Sequence, residues 1–121
     1  MTAPGPHTVL IVEDEEDLRE MMTMALEMNG YTVVSAEEGQ DALRKLDNID
    51  PPCLILLDLL MPGMNGWDFY EKLRERPALA SVPVIVHSSS PERAPAGVTR
   101  VLKKPVLLDG LIAVVGEYCA N

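Results

Sequence analysis

Residues 53–66 read CLILLDLLMPGMNG. The apolar side chains from Cys53 to Leu57 follow one another without a polar interruption, the pattern of a strand buried on both faces, as in a parallel sheet covered by helices. The run ends on a carboxylate, Asp58. Pro62-Gly63 then turns the chain, and Asn65 stands as N-cap of a helix that carries Phe69, Tyr70 and Leu73 and stops before Pro77. Strand, acidic strand end, turn and helix in this order are one unit of an α/β fold.

The same unit repeats on either side. Further strands are expected at Thr8 to Val12, Thr32 to Ser35, Val84 to His87 and Arg100 to Lys103. Between the first two, Leu18, Met21, Met22 and Ala25 recur at helical spacing, with Glu16 and Asp17 in the first turn and Gly30 after the last. A second helix places Ala42, Leu43, Leu46 and Ile49 on one face and stops before Pro51-Pro52. The fourth crossover is short: the fifteen residues between Ser88 and Lys104 include Pro91, Pro95 and Gly97, which leaves room for a turn or two of helix or for a disordered segment. The last helix is apolar nearly all round, Leu108, Leu111, Ile112 and Val115 on one face and Leu107, Val114 and Tyr118 on another, so it is expected to be covered by a partner or a second copy. Five strands alternating with helices predict a doubly wound α/β domain over residues 7–121, preceded by a flexible tail at residues 1–6, with its site beyond the carboxyl ends of the strands.

Composition narrows the function. The 121 residues carry 10 Lys+Arg against 19 Asp+Glu, a net charge of −9, and 47% are apolar. Residues 1–50 hold 3 basic and 12 acidic side chains and residues 51–121 hold 7 of each, so the whole excess lies in the first 50. Such a chain repels phosphate backbones and lacks a basic stripe, which argues against direct DNA or RNA binding. Cys53 and Cys119 match no metal spacing and read as small apolar residues in a reducing compartment. Neither a signal peptide nor a membrane span is expected, and the protein is placed in the cytoplasm.

The polar residues at the strand ends carry the chemistry. Glu13 and Asp14 end the first strand and Asp58 the third. If those strands are neighbours, three carboxylates share one sheet edge and need a counter-ion. Oxygen ligands of this kind suit Mg²⁺, which is held by one or two carboxylates plus a phosphate. Ser88 and Lys104 end the fourth and fifth strands and add a hydroxyl and an ammonium. Together these groups describe a phosphoryl site in which Asp58 is the nucleophile and the cations neutralise developing charge. Each also has a plainer reading: a solvated helix start for Glu13 to Asp17, a turn aspartate for Asp58, a surface lysine for Lys104 with Lys103 as its rival, and ordinary loop chemistry for Ser88 beside Ser89 and Ser90. His87 is expected as a hydrogen-bonded buried histidine, and His7 as a strand-edge residue.

In Val9-Leu10-Ile11-Val12-Glu13-Asp14-Glu15, in Leu56 through Gly66, in Pro83-Val84-Ile85-Val86-His87-Ser88 and in Lys104-Pro105, the chain resembles the receiver domain of two-component response regulators. The resemblance implies a flavodoxin-like (βα)5 fold with strand order 2-1-3-4-5. It implies Asp58 as phosphoacceptor from a sensor histidine kinase or phosphotransfer protein, Glu13, Asp14 and Asp58 around Mg²⁺ with the Leu60 backbone carbonyl, Ser88 as switch hydroxyl and Lys104 as phosphate partner. Such a domain is not an enzyme beyond weak self-phosphorylation and autophosphatase chemistry, and acts by binding an unidentified downstream protein.

Two departures stand out. The aromatic position three residues before Lys104 is Val101, and the fourth crossover holds Pro95. A phosphorylation-independent interaction module is therefore the second reading. A haloacid-dehalogenase-type hydrolase is set aside, because that family expects an aspartate where this chain has Leu60.

Overall fold

The computed structural model describes residues 7–119; the expected tail at residues 1–6 and the last two residues lie outside them. Five strands, β1 (Thr8–Val12), β2 (Thr32–Ala36), β3 (Leu54–Asp58), β4 (Val84–Ser88) and β5 (Arg100–Lys103), alternate with α1 (Glu16–Met28), α2 (Gly39–Leu46), α3 (Gly66–Arg74) and, after β5, α4 (Leu108–Tyr118). All pairings are parallel and the order is β2-β1-β3-β4-β5. Chain order reverses direction at β1 and β3, so the loops after these two strands part and leave a crevice at their carboxyl ends.

Alternation along the strands divides the core in two. Leu10, Val12, Ile55, Leu57, Val84 and Val86 face α2 and α3, where Ala42, Leu43, Leu46, Phe69 and Leu73 meet them. Val9, Ile11, Leu54, Leu56 and Ile85 face α1 and α4, against Met22, Leu26, Leu111 and Val115. Every residue of β3 and β4 is buried, as their unbroken apolar runs require, and each large aliphatic side chain so buried contributes about 1.5–3 kcal/mol.

Local signals set the helix ends. The Asn65 side chain accepts from the Asp68 backbone N–H at 2.9 Å and caps α3. Gly66 is required where it stands: a Cβ there would lie 2.5 Å from the Asp58 carbonyl oxygen and 2.7 Å from the Leu59 Cα, so only glycine lets α3 start directly against the end of β3. Helix α2 ends at Leu46, and Ile49 packs on the core from the turn that follows.

Three expectations change. In α1 the buried side chains are Met22 and Leu26, while Met21 is 53% exposed; the inner stripe is turned away from the Met21 side. In α4 the buried residues are Leu111, Val114 and Val115, so the inward face combines parts of both expected faces, and Leu107 stays 76% exposed. Cys53 and Cys119 are joined in a disulfide, with Cα atoms 5.6 Å apart; they are not free thiols, because the entry of β3 and the end of α4 meet on one face of the sheet. The Tyr31 hydroxyl donates to the Cys119 carbonyl at 2.9 Å at the same place.

The fourth crossover holds a single 3₁₀ turn, Pro91–Arg93, so of the two expectations a short element is the one found. Ala94, Val98 and Val101 pack on the α2–α3 core. Trp67 Nε1 donates to the Arg93 carbonyl at 2.8 Å, and the Arg93 guanidinium lies 5.3 Å over the Trp67 ring. Among the described residues no helix is long and apolar enough to cross a membrane.

Candidate functional site

Register brings the polar strand ends into one row. Val12 pairs with Leu57 and Asp58 with His87, so Glu13, one residue beyond Val12, stands level with Asp58. By the alternation of the strands, Glu13 lies on the face of Ile11, Asp58 on that of Leu56 and His87 on that of Ile85. Glu13 and His87 are fully buried and Asp58 is buried. On the far side, the Lys104 N–H donates to the Ser88 carbonyl at 2.9 Å, which extends the β4–β5 pairing and carries the lysine to the same edge.

Lys104 Nζ lies 3.1 Å from Glu13 Oε1 and 3.3 Å from Asp58 Oδ1. One ammonium thus bridges two buried carboxylates from different strands, and Lys103, exposed, takes no part. Glu13 Oε2 accepts the Glu15 N–H at 3.0 Å, and Arg19 Nη1 donates to the Glu13 carbonyl at 2.9 Å and to that of Asp14 at 3.4 Å. The acidic run therefore folds back on itself at the mouth of the crevice. Asp14 is exposed at this rim, near enough for its charge to act on Asp58. Ser88 is buried at the end of β4, and its Oγ accepts the Ser90 N–H at 3.0 Å. Leu60, two residues past Asp58, is 55% exposed.

Burial and charge oppose each other here. Burial pushes Glu13 up to about 7, helped by the Asp58 charge and opposed by the Glu15 N–H and Lys104. Burial also raises Asp58, with Lys104 opposing and Asp14 adding to the rise. For Lys104, burial would lower its pKa, yet the charges of Asp58 and Glu13 outweigh it and hold the pKa above the ordinary value. Three carboxylates against one ammonium leave 3 − 1 = 2 negative charges when all are ionised. Their donors are carboxylate oxygens, and this set fits a hard divalent cation.

Of the residues expected from the sequence, Glu13, Asp58 and Lys104 are in direct contact, Asp14 is at the rim, and Ser88 and Leu60 are on the adjoining strand end and loop. His87 is the surprise. Neither ring nitrogen has a hydrogen-bond partner among the described residues, so it is not the hydrogen-bonded histidine expected. Nδ1 instead points at the row, 3.5 Å from Glu13 Oε1. Burial, then the Lys104 charge, lowers its pKa to about 3 and keeps the imidazole neutral. The sequence held the signal: His87 lies two residues after inward-facing Ile85, and so on the face of Glu13 and Asp58. A surface depression lined by Thr8, Thr32, Asp47 and Ile49 among others is formed at the opposite end of the strands and contains none of these groups.

Comparison with known proteins agrees with this fold. The family model of the response regulator receiver domain matches residues 9–116. A cyclic di-GMP phosphodiesterase of Thermotoga maritima is 34% identical over 106 residues, covering 84% of this chain and 28% of that protein; the chain thus spans well under half of that relative. A putative response regulator from Chloroflexus aurantiacus superposes with a TM-score of 0.86 at 29% identity, covering 96% of this chain and 99% of the other. The response regulator TrrA of Thermotoga maritima, solved in complex with Mg²⁺-BeF, matches with a TM-score of 0.80 at 26% identity over 92% of this chain and 97% of that one.

Proposed function

Since the chain belongs to the response regulator receiver domain family, we propose that it accepts a phosphoryl group on Asp58 from a sensor histidine kinase or phosphotransfer protein, and that the modified form changes which protein it binds. The observation that carries this reading is the Lys104 ammonium bridging Glu13 Oε1 and Asp58 Oδ1. It sets a positive charge beside the Asp58 carboxylate at the carboxyl end of the sheet.

In the proposed reaction an Asp58 carboxylate oxygen attacks phosphorus. The new P–O bond forms as the donor's P–N bond breaks, and the departing imidazole takes a proton from solvent. Lys104 follows the charge from carboxylate to phosphoryl oxygen, and Ser88, released from the Ser90 N–H, supplies a hydroxyl donor. Glu13, Asp14, Asp58 and the Leu60 carbonyl would hold Mg²⁺, which supplies charge neutralisation at the transferring group. The chain's part is positioning and electrostatics, so it is a phosphoacceptor and not an enzyme acting on a separate substrate.

Intact-protein mass after incubation with acetyl phosphate and Mg²⁺ tests the reading. One added phosphoryl group is expected, abolished in Asp58→Asn and in a chelated sample; no adduct would overturn it. Leu60 carries no polar group to orient a hydrolytic water, so the adduct should be long-lived. Leu60→Asn should shorten its lifetime, on the order of tenfold if the amide acts as a water-positioning group, and equal lifetimes would refute that role.

A second reading, a phosphorylation-independent docking module, is favoured by Val101 and by the single 3₁₀ turn of the fourth crossover. An unlabelled protein would leave it as the better one.

A further inference from the structure

The contacts described so far leave His87 unexplained. Among the described residues neither nitrogen of this fully buried imidazole has a hydrogen-bond partner; each buried unsatisfied group costs about 1–3 kcal/mol, and an aliphatic side chain would fill the position without that cost. Its Nδ1 is aimed into the carboxylate row: Glu13, Asp58 and His87 each offer one ligand atom, all within 4.8 Å of one another. Two donors about 2.0–2.1 Å from one metal at a tetrahedral angle stand roughly 3.4 Å apart, close to the 3.5 Å between His87 Nδ1 and Glu13 Oε1.

We propose that His87 is a nitrogen ligand of the cation pocket, and that through it the site takes a divalent first-row transition ion of the Fe²⁺, Co²⁺ or Zn²⁺ kind in preference to Mg²⁺. The inference rests on reading the pocket as a cation site. Oxygen donors alone suit Mg²⁺, whereas an imidazole favours the later first-row ions. Lys104 now holds the place between the two carboxylates, and a bound ion would take over its contact with Glu13.

Co²⁺ is the probe. The full chain is titrated with Co²⁺ and with Mg²⁺, as wild type and as His87→Leu, and the Co²⁺-loaded wild type is examined by proton NMR for hyperfine-shifted imidazole resonances. A set of shifted resonances in the wild type, absent from the variant although it retains His7, is expected. So is a drop in the Co²⁺-over-Mg²⁺ preference, on the order of tenfold or more, in the variant. No shifted imidazole resonance in the Co²⁺-loaded wild type would overturn the proposal, whatever the variant does, and so would an unchanged preference. Acetyl phosphate labelling of the wild type with Mg²⁺ separates the two readings: labelling without a shifted imidazole removes His87 as a ligand and leaves the phosphoacceptor standing.

Discussion

Lys104→Met should destabilise the fold by about 3 kcal/mol at pH 8, because it removes the cation bridging two buried carboxylates and leaves their charges unpaired. The lysine side chain is 23% exposed, so solvent screens little of this contact. The loss should shrink as the pH falls. Glu13 already titrates near 7 in the fold against 4.5 as its ordinary value. A carboxyl raised in this way imposes no penalty below the unfolded value and its full penalty above the folded one. Without Lys104 both Glu13 and Asp58 rise further, so the variant should approach the wild type near pH 4.5 and diverge from it above pH 7. Urea unfolding at pH 5 and pH 8 measures this, and an equal loss at both would show that Lys104 stabilises by packing. Added Mg²⁺ should stabilise the variant more than the wild type, since the ion meets two unpaired charges there.

The other large effect concerns the opposite end of the sheet. Cys53 and Cys119 close a loop with a sequence separation of 66, for which loop entropy gives about 4 kcal/mol of stabilisation. Dithiothreitol, or Cys53→Ser, should lower the unfolding free energy by about that amount. Denaturant midpoints with and without reductant measure it, and coincident curves would mean that the disulfide contributes nothing. Phosphoryl acceptance should be unaffected: Cys53 precedes β3 and Asp58 ends it, five residues or roughly 16 Å along the strand.

The sequence shows these two ends with unequal clarity. The central strands are legible because burial on both faces leaves apolar runs, and Leu54–Asp58 and Val84–Ser88, buried throughout, fall where those runs stand. Asn65 is legible because a cap is a local interaction. The convergence of Glu13, Asp58 and Lys104 follows once strand order is known, and that order came from resemblance to a family, since apolar runs do not say which strands are neighbours. The Cys53–Cys119 contact was hidden for the same reason, as nothing local joins residues 66 apart. The sequence places His87 in β4 alone, whereas its meaning lies in a cross-strand row. The rotation of α1 away from Met21 is not legible, because methionines lie on both its inner and its outer face and apolarity alone does not mark the buried stripe.

Trp67 is the only tryptophan in the chain, and its indole N–H and ring are both engaged by Arg93, in the crossover that leads from Ser88 to β5. Loosening that crossover would free the indole into water and strip the guanidinium from its face. The molecule therefore carries a built-in optical gauge: the colour and intensity of a single native fluorophore follow the state of the segment that separates the strand of Ser88 from the strand of Lys104, with no dye attached.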